Sequence, residues 1–396
     1  MAKKVTIKQI AEISSGSTAP KEEFFSETGL PFIRAGHLEK LIENRNIIET
    51  LPKVSRENAE KLKLKKVERG TILFAKSGMS ATKNRVYKCT GDAYIVNHLA
   101  AVTPDQTVIE SGYLQYFFEW FSPSKLIIDE SYPSIRISDI GNIDLTLPNK
   151  EYQKKIVNIL DHSRDLINKR KAQIEALDQL TQSVFLEMFG DPVINNKGWN
   201  KEKLSLTGEL KRGMSKHRPR NAPELLGGPY PLIQTGDVSK SGLYIKDYTQ
   251  TYSELGLKQS KMWPEGTLCI TIAANIARTG ILTFDACFPD SVVAYLPGSN
   301  MSNIYVHYWF SFLQRIIESN APESAQKNIN LKILSDLEIP IPPQEEQRRF
   351  EKIVLNIEKQ RELFEIGLSE LQNNFNSIIQ RAFKGELFTE EKLPTA

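Results

Sequence analysis

Cysteine is scarce in this chain: Cys89, Cys269 and Cys287 are the only three among 396 residues, and no two of them form a CxxC pair. That excludes a disulfide framework and a zinc ribbon, and points to reduced thiols inside cores. Long apolar runs are missing too. None reaches the roughly 18 residues of a membrane-spanning helix. Lys3 and Lys4 lead into Val5-Thr6-Ile7-Lys8 without the apolar core of a signal peptide, so the expected location is the cytoplasm. There is no GxxxxGK[ST] for a nucleotide, no HExxH and no Asn/Asp-Pro-Pro-aromatic motif for adenine methylation. His37, His98, His162, His217 and His307 are scattered, and no nucleophile, base and orienter can be assembled from them. Glu209-Leu210-Lys211 and Glu390-Glu391-Lys392 imitate the end of a nuclease site, but such triplets arise by chance in charged segments. Charge of one sign is also lacking: a net +3 makes no generic polycation, so what matters is where the cations fall.

What the chain has is a long seam. Over Gln153–Gly190 a seven-residue period places Ile156, Leu160, Ser163, Ile167, Arg170, Ile174, Leu177, Thr181, Val184 and Met188 on one stripe. Asn149 and Glu151 suit a capped start, and Gly190 with Pro192 a stop. At ~1.5 Å per residue such a helix is on the order of 55 Å long, and its stripe needs a partner helix. A second stripe lies 194 residues further on: Phe350, Val354, Ile357, Arg361, Phe364, Leu368, Leu371, Phe375, Ile378 and Ala382, ending at Gly385.

The segments before the helices repeat as well. LPFIRAGHLEK (30–40) returns as YPLIQTGDVSK (230–240), ERGTIL (68–73) as PEGTLC (264–269), and ISDIGNIDLTLP (137–148) as LKILSDLEIPIP (331–342). The expected fold is α+β: a tandem duplication of a mixed α/β domain followed by a long helix, the two helices packed antiparallel as a coiled coil with pseudo-two-fold symmetry. The boundaries are residues 1–148 for the first domain, 149–190 for its helix, 191–342 for the second domain, 343–390 for the second helix and 391–396 for a tail. Residues 191–203 have the turn-rich look of a linker. Two heads on a helical spacer suit a ligand with two separated recognition elements.

The cations suggest which ligand. Lys76, Ser77, Lys83, Asn84 and Arg85 lie on a basic turn after a strand, and Arg136 on another exposed-looking stretch. In the second head residues 211–220 hold five cations and no acid, with Arg212, Lys216, His217, Arg218 and Arg220 as contact candidates. One cation on a loop ordinarily faces water; a run at that density suits phosphates, with Arg, Asn and Gln able to read bases. Asn275, Arg278, Gln326, Lys327 and Asn328 have suitable side chains on expected loops.

GMSATKNRV (78–86), TIAANIARTGIL (271–282), AQKNINLKILSDLEIPIPPQEEQRRF (325–350), FGDPVINNKGW (189–199) and AFKGEL (382–387) occur in an order that resembles the specificity subunits of Type I restriction-modification systems over essentially the whole chain. The first copy departs at Tyr132-Pro133-Ser134-Ile135-Arg136, where the second has Gln326-Lys327-Asn328-Ile329-Asn330. The resemblance implies a non-catalytic protein. Each head would be a target recognition domain for one half of a bipartite double-stranded DNA site, and the helices would hold two methyltransferase subunits. S-adenosylmethionine, ATP and Mg would belong to those partners and to restriction subunits, with methylation at adenine N6. Two other readings stay open: a stand-alone two-headed DNA-binding protein without enzyme partners, and a nuclease or methyltransferase in its own right.

Overall fold

The computed structural model describes residues 3–217, 219–273, 276–312 and 329–387, with Arg45 and Asn46 described by backbone alone. The chain divides into two compact units, residues 1–171 with 366–396, and residues 172–365.

In the first unit a buried strand, Ile72–Ala75, organises the head. Its four residues are apolar and buried on both faces, as the middle of a covered sheet requires. Alternation sends Ile72 and Phe74 into a core with the helix Ser111–Phe121, and Leu73 and Ala75 into a second core beneath a smaller sheet. The main sheet runs Ala11–Ser15, Leu99–Pro104, Ile72–Ala75, Val86–Lys88, all antiparallel. The smaller sheet runs Phe25–Ser26, Lys53–Val54, Leu30–Ile33, Ala93–Ile95, Lys66–Val67, with Leu30–Ile33 and Ala93–Ile95 parallel. Lys3–Thr6 and Asp144–Leu147 close the head.

The second unit repeats this plan, with one strand added to the main sheet and one edge strand fewer in the smaller one. Its main sheet runs Gly208–Arg212, Val292–Pro297, Leu268–Thr271, Thr279–Leu282, extended by Tyr244–Ile245. Its smaller sheet runs Gln250–Tyr252, Leu226–Leu232, Ala286–Cys287, Met262–Trp263, with the middle two strands parallel. Lys201–Lys203 pairs with Glu338–Pro340 where the first unit closes with its terminal strands. The expected duplication is therefore present: four strands of each sheet follow the same order in both units.

The long helices are Lys150–Phe189 and Gln344–Lys384. Every position named from the seven-residue period is buried or half-buried in both. In the first unit the early turns of one helix meet the late turns of the other: Ile156, Leu160, Ile379 and Ala382 share a core, and Arg164 lies over the Phe375 ring. In the second unit the reverse holds, with Phe185 and Phe189 packed on Phe350 at ring distances of 5.6 and 5.2 Å. Start against end in each unit is antiparallel packing. Polar seam positions are satisfied locally: Ser163 and Thr181 donate to Ile159 and Leu177 carbonyls, and Arg361 pairs with Asp178 and Glu358. Asn149 accepts from the Tyr152 amide as a cap. The first helix ends at Gly190, whose left-handed φ of 79° and lack of a Cβ let Asn196 approach and accept from the Asp191 amide. The expected linker is thus an ordered cap, with the Trp199 indole donating to the Phe189 carbonyl.

A pair of glutamines ties each head to its helix. Gln153 is fully buried; it accepts from the Glu110 amide and donates to the Val108 and Pro148 carbonyls. Gln347 accepts from the Ser302 amide and donates to the Asn300 and Pro342 carbonyls. Glu110 and Ser302 are the N-caps of equivalent head helices, so one amide side chain in each unit satisfies a helix start and fixes where the long helix leaves.

Candidate nucleic-acid interface

In the first head the basic turn is the loop between two antiparallel strands, Ile72–Ala75 and Val86–Lys88. Its base is built in. The Lys76 amide donates to the His98 carbonyl at 2.8 Å, and Ser77 Oγ meets His98 Nδ1 at 2.7 Å. The loop is also stitched to the segment before Arg136: Gly78 donates to the Pro133 carbonyl at 2.9 Å, and Ile135 donates to the Lys76 carbonyl at 2.7 Å. Lys76, Ser77 and Arg136 are thereby gathered, with Lys83 exposed on the same loop. Among the described residues Lys76, Lys83 and Arg136 form no ion pair. Asn84 and Arg85 turn to the protein instead. Asn84 adopts a left-handed φ of 50° and accepts from the Ser124 amide, while the Arg85 guanidinium pairs with Glu39. Their side chains are held by the head's own fold, which makes them positioning groups for the loop.

In the second head the segment after strand Gly208–Arg212 is held by Gln259, whose side-chain carbonyl accepts from the Lys216 and His217 amides at 2.7 and 3.0 Å. Ser260 adds a bond to the Met214 carbonyl, and Met214 in turn donates to the Phe288 carbonyl. The run without acids is partly neutralised by acids from elsewhere. Lys211 pairs with Glu209, Arg220 pairs with Asp290, and the Arg212 guanidinium donates to the Asp290 carbonyl. Lys216 stays exposed and forms no ion pair among the described residues. Arg278 lies at the neck of the loop between Leu268–Thr271 and Thr279–Leu282: its amide donates to Thr271 Oγ1 at 3.0 Å and its side chain is exposed. Arg218, Asn275, Gln326, Lys327 and Asn328 lie outside the described residues.

The buried titratable groups serve the cores. Burial pushes the Cys89 thiol up to about 12 and raises Cys269 and Cys287 as well, so all three are protonated thiols at neutral pH. Burial lowers the His307 imidazole to about 4, where Nδ1 meets Thr279 Oγ1 at 2.9 Å. Among the described residues no group of His, Cys, Asp and Glu could hold a metal ion, and no helix is long and apolar enough to cross a membrane. Sequence reasoning missed Gln259, Asp290 and the paired Gln153 and Gln347. The pair left one sign: each stands five residues after a proline, Pro148 or Pro342, at the same point of the repeat.

Comparison with known proteins matches residues 2–176 and 196–372 to the family model of the Type I restriction modification DNA specificity domain. A protein of Methanocaldococcus jannaschii named as the type I restriction enzyme MjaX specificity subunit is 24% identical over 370 residues, covering 87% of this chain and 84% of its own length. The EcoBI specificity subunit of Escherichia coli is 27% identical over 167 residues, covering 39% of this chain and 35% of its own. Among solved structures, one described as concerning complex assembly and conformational transition of the type I R-M system aligns with a TM-score of 0.61 at 18% identity, over 98% of both chains. The S subunit from M. genitalium aligns with a TM-score of 0.55 at 15% identity, over 97% of this chain and 96% of that one. At those identities the structural likeness is one of fold.

Proposed function

We propose, from the premise that this chain belongs to the Type I restriction modification DNA specificity family and carries its domain twice, that each head reads one half of a bipartite duplex-DNA site. The observation that carries this is the repeated head: the same strand order, with an exposed cation on the loop between the same two central strands, Lys83 in one copy and Arg278 in the other. Duplicated heads give two separate readings, and cations beside phosphates give affinity that base contacts then make specific. The two long helices carry two methyltransferase subunits, which bring S-adenosylmethionine and methylate adenine at N6. A restriction subunit using ATP and Mg joins them, and this chain performs no catalysis. The complex works in the cytoplasm.

The test is to express the chain with its methyltransferase and sequence the N6-methyladenine in the host DNA. One bipartite motif with a fixed unread interval is expected. A motif of one continuous block would sink the two-reader proposal. Tight DNA binding without copurification of the methyltransferase would favour the stand-alone reading.

A further inference from the structure

Of the large apolar side chains among the described residues, Ile128 and Tyr132 are the two most exposed, at 85% and 81%. Both stand on the loop between the turn Pro123–Leu126 and the helix Ile137–Gly141. The loop is firmly built. On one side Ile127 packs against two cores and donates to the Ser124 carbonyl. On the other, Pro133 is buried with its carbonyl bonded to Gly78, and Ile135 is 1% exposed. Inside the loop the Asp129 carboxylate accepts from the Ser131 amide at 2.8 Å, closing a tight turn. Half-buried chain on one side and buried chain on the other therefore present a short tip whose apolar groups stay in water.

A third exposed apolar group stands next door. Met79, 68% exposed, follows the Gly78 that bonds Pro133. Exposed apolar residues scattered singly need no explanation, but three on two loops bonded to each other form a patch. Lys76, Lys83 and Arg136, on those same loops, carry positive charge without ion pairs among the described residues. A surface with cations at its rim and apolar groups at its tip fits a groove of duplex DNA, which has phosphates outside and base edges, including thymine C5-methyl groups, inside. Glu130, exposed on the tip, only accepts hydrogen bonds when ionised; a phosphate repels it, whereas a cytosine amino group donates to it.

We propose that the tip Ile128–Tyr132, together with Met79, is the base-reading element of the first head, while Lys76, Lys83 and Arg136 hold the flanking phosphates. This rests on the DNA-reading function proposed above. The full chain, assembled with its methyltransferase, is compared as wild type, Ile128→Ala and Tyr132→Ala against duplexes that each carry one substituted base pair. Both substitutions sit on an exposed tip, so thermal unfolding should be unchanged. Each variant should lose roughly four- to tenfold discrimination at one or two positions of a single half-site, with the other half-site and the salt slope unaltered. Equal weakening on every sequence, or intact discrimination in both variants, overturns the assignment. A wild-type protein without any bipartite preference would instead overturn the function on which it rests.

Discussion

Replacing Gln347 by leucine keeps much of the side chain's bulk and removes its three hydrogen bonds to the backbone, with a weak fourth to Met301 Sδ. The Ser302 amide and the Asn300 and Pro342 carbonyls then lose partners at 2.9, 3.0 and 3.0 Å in a site where the side chain is 1% exposed. A buried polar group left unmade costs about 1–3 kcal/mol; water reaching the part-buried Ser302 amide relieves some of this, so the expected loss is about 2–4 kcal/mol. For a unit of this size that is roughly 4–15 °C in unfolding temperature. Gln347→Glu sharpens the test. The carboxylate still accepts from Ser302, but when ionised it cannot donate to either carbonyl, and burial raises its pKa above the usual carboxylate range. Its protonated form can donate to one of them. The Glu variant, measured relative to wild type, should therefore be most stable below about pH 4 and lose stability as pH rises through the raised folded-state pKa. Gln153→Leu should cost a similar amount, and the double variant should be additive because the two glutamines share no partner. Urea unfolding at a series of pH values reads all of this. A Gln347→Leu protein within about 0.5 kcal/mol of wild type would refute the reasoning, as would a Glu variant with the wild-type pH profile.

His307 has its imidazole lowered to about 4 by burial, against an ordinary value of 6.5, so it contributes stability that is whole above pH 6.5 and lost as pH falls towards 4; His307→Gln should flatten the unfolding midpoint across that window. Changing Lys216 and Arg218 to Ala should weaken binding to all duplexes alike and flatten the salt dependence by roughly one unit for each phosphate no longer neutralised, whereas an unchanged slope would place that segment away from DNA. Seven residues added at matching seam positions of both long helices keep the stripe nearly in phase and lengthen each helix by ~10 Å. The methylated motif should then keep both half-sites and widen its unread interval by up to about three base pairs, less whatever DNA bending absorbs; an active variant with the original interval would show that the helices do not set it.

The repeat and the long helices are legible in the sequence because both are written in local pattern. Ile156, Leu160, Phe350 and Val354 declare their burial by spacing alone, and Ile72–Ala75 by an unbroken apolar run. The state of the basic segment is not fully legible, because one of its neutralising groups is remote: Arg220 pairs with the Asp290 carboxylate, and Arg212 donates to the Asp290 backbone carbonyl, only after the sheet brings Val292–Pro297 beside Gly208–Arg212. Gln153 and Gln347 are hidden for a different reason. Each lies in a charged first turn, Lys150-Glu151-Tyr152-Gln153 or Gln344-Glu345-Glu346-Gln347, where a polar residue reads as a solvated one. Nor does the sequence show that Asn84 has its backbone in the left-handed region and its side-chain oxygen bonded to the Ser124 amide.

The first unit is built from two pieces of chain that are synthesised far apart in time. Residues 172–365 form the second unit without interruption, so they can fold as soon as they leave the ribosome. The first head cannot finish then: its helix Ser111–Phe121 keeps Tyr113, Phe117 and Trp120 for Phe383, at ring distances of 5.1, 5.8 and 5.6 Å, and Tyr116 for Phe375. The amino-terminal head is therefore the last to be completed, against the usual order in which domains mature as they emerge. Any chain that stops before Phe375 leaves the aromatic face of Ser111–Phe121 without these ring partners.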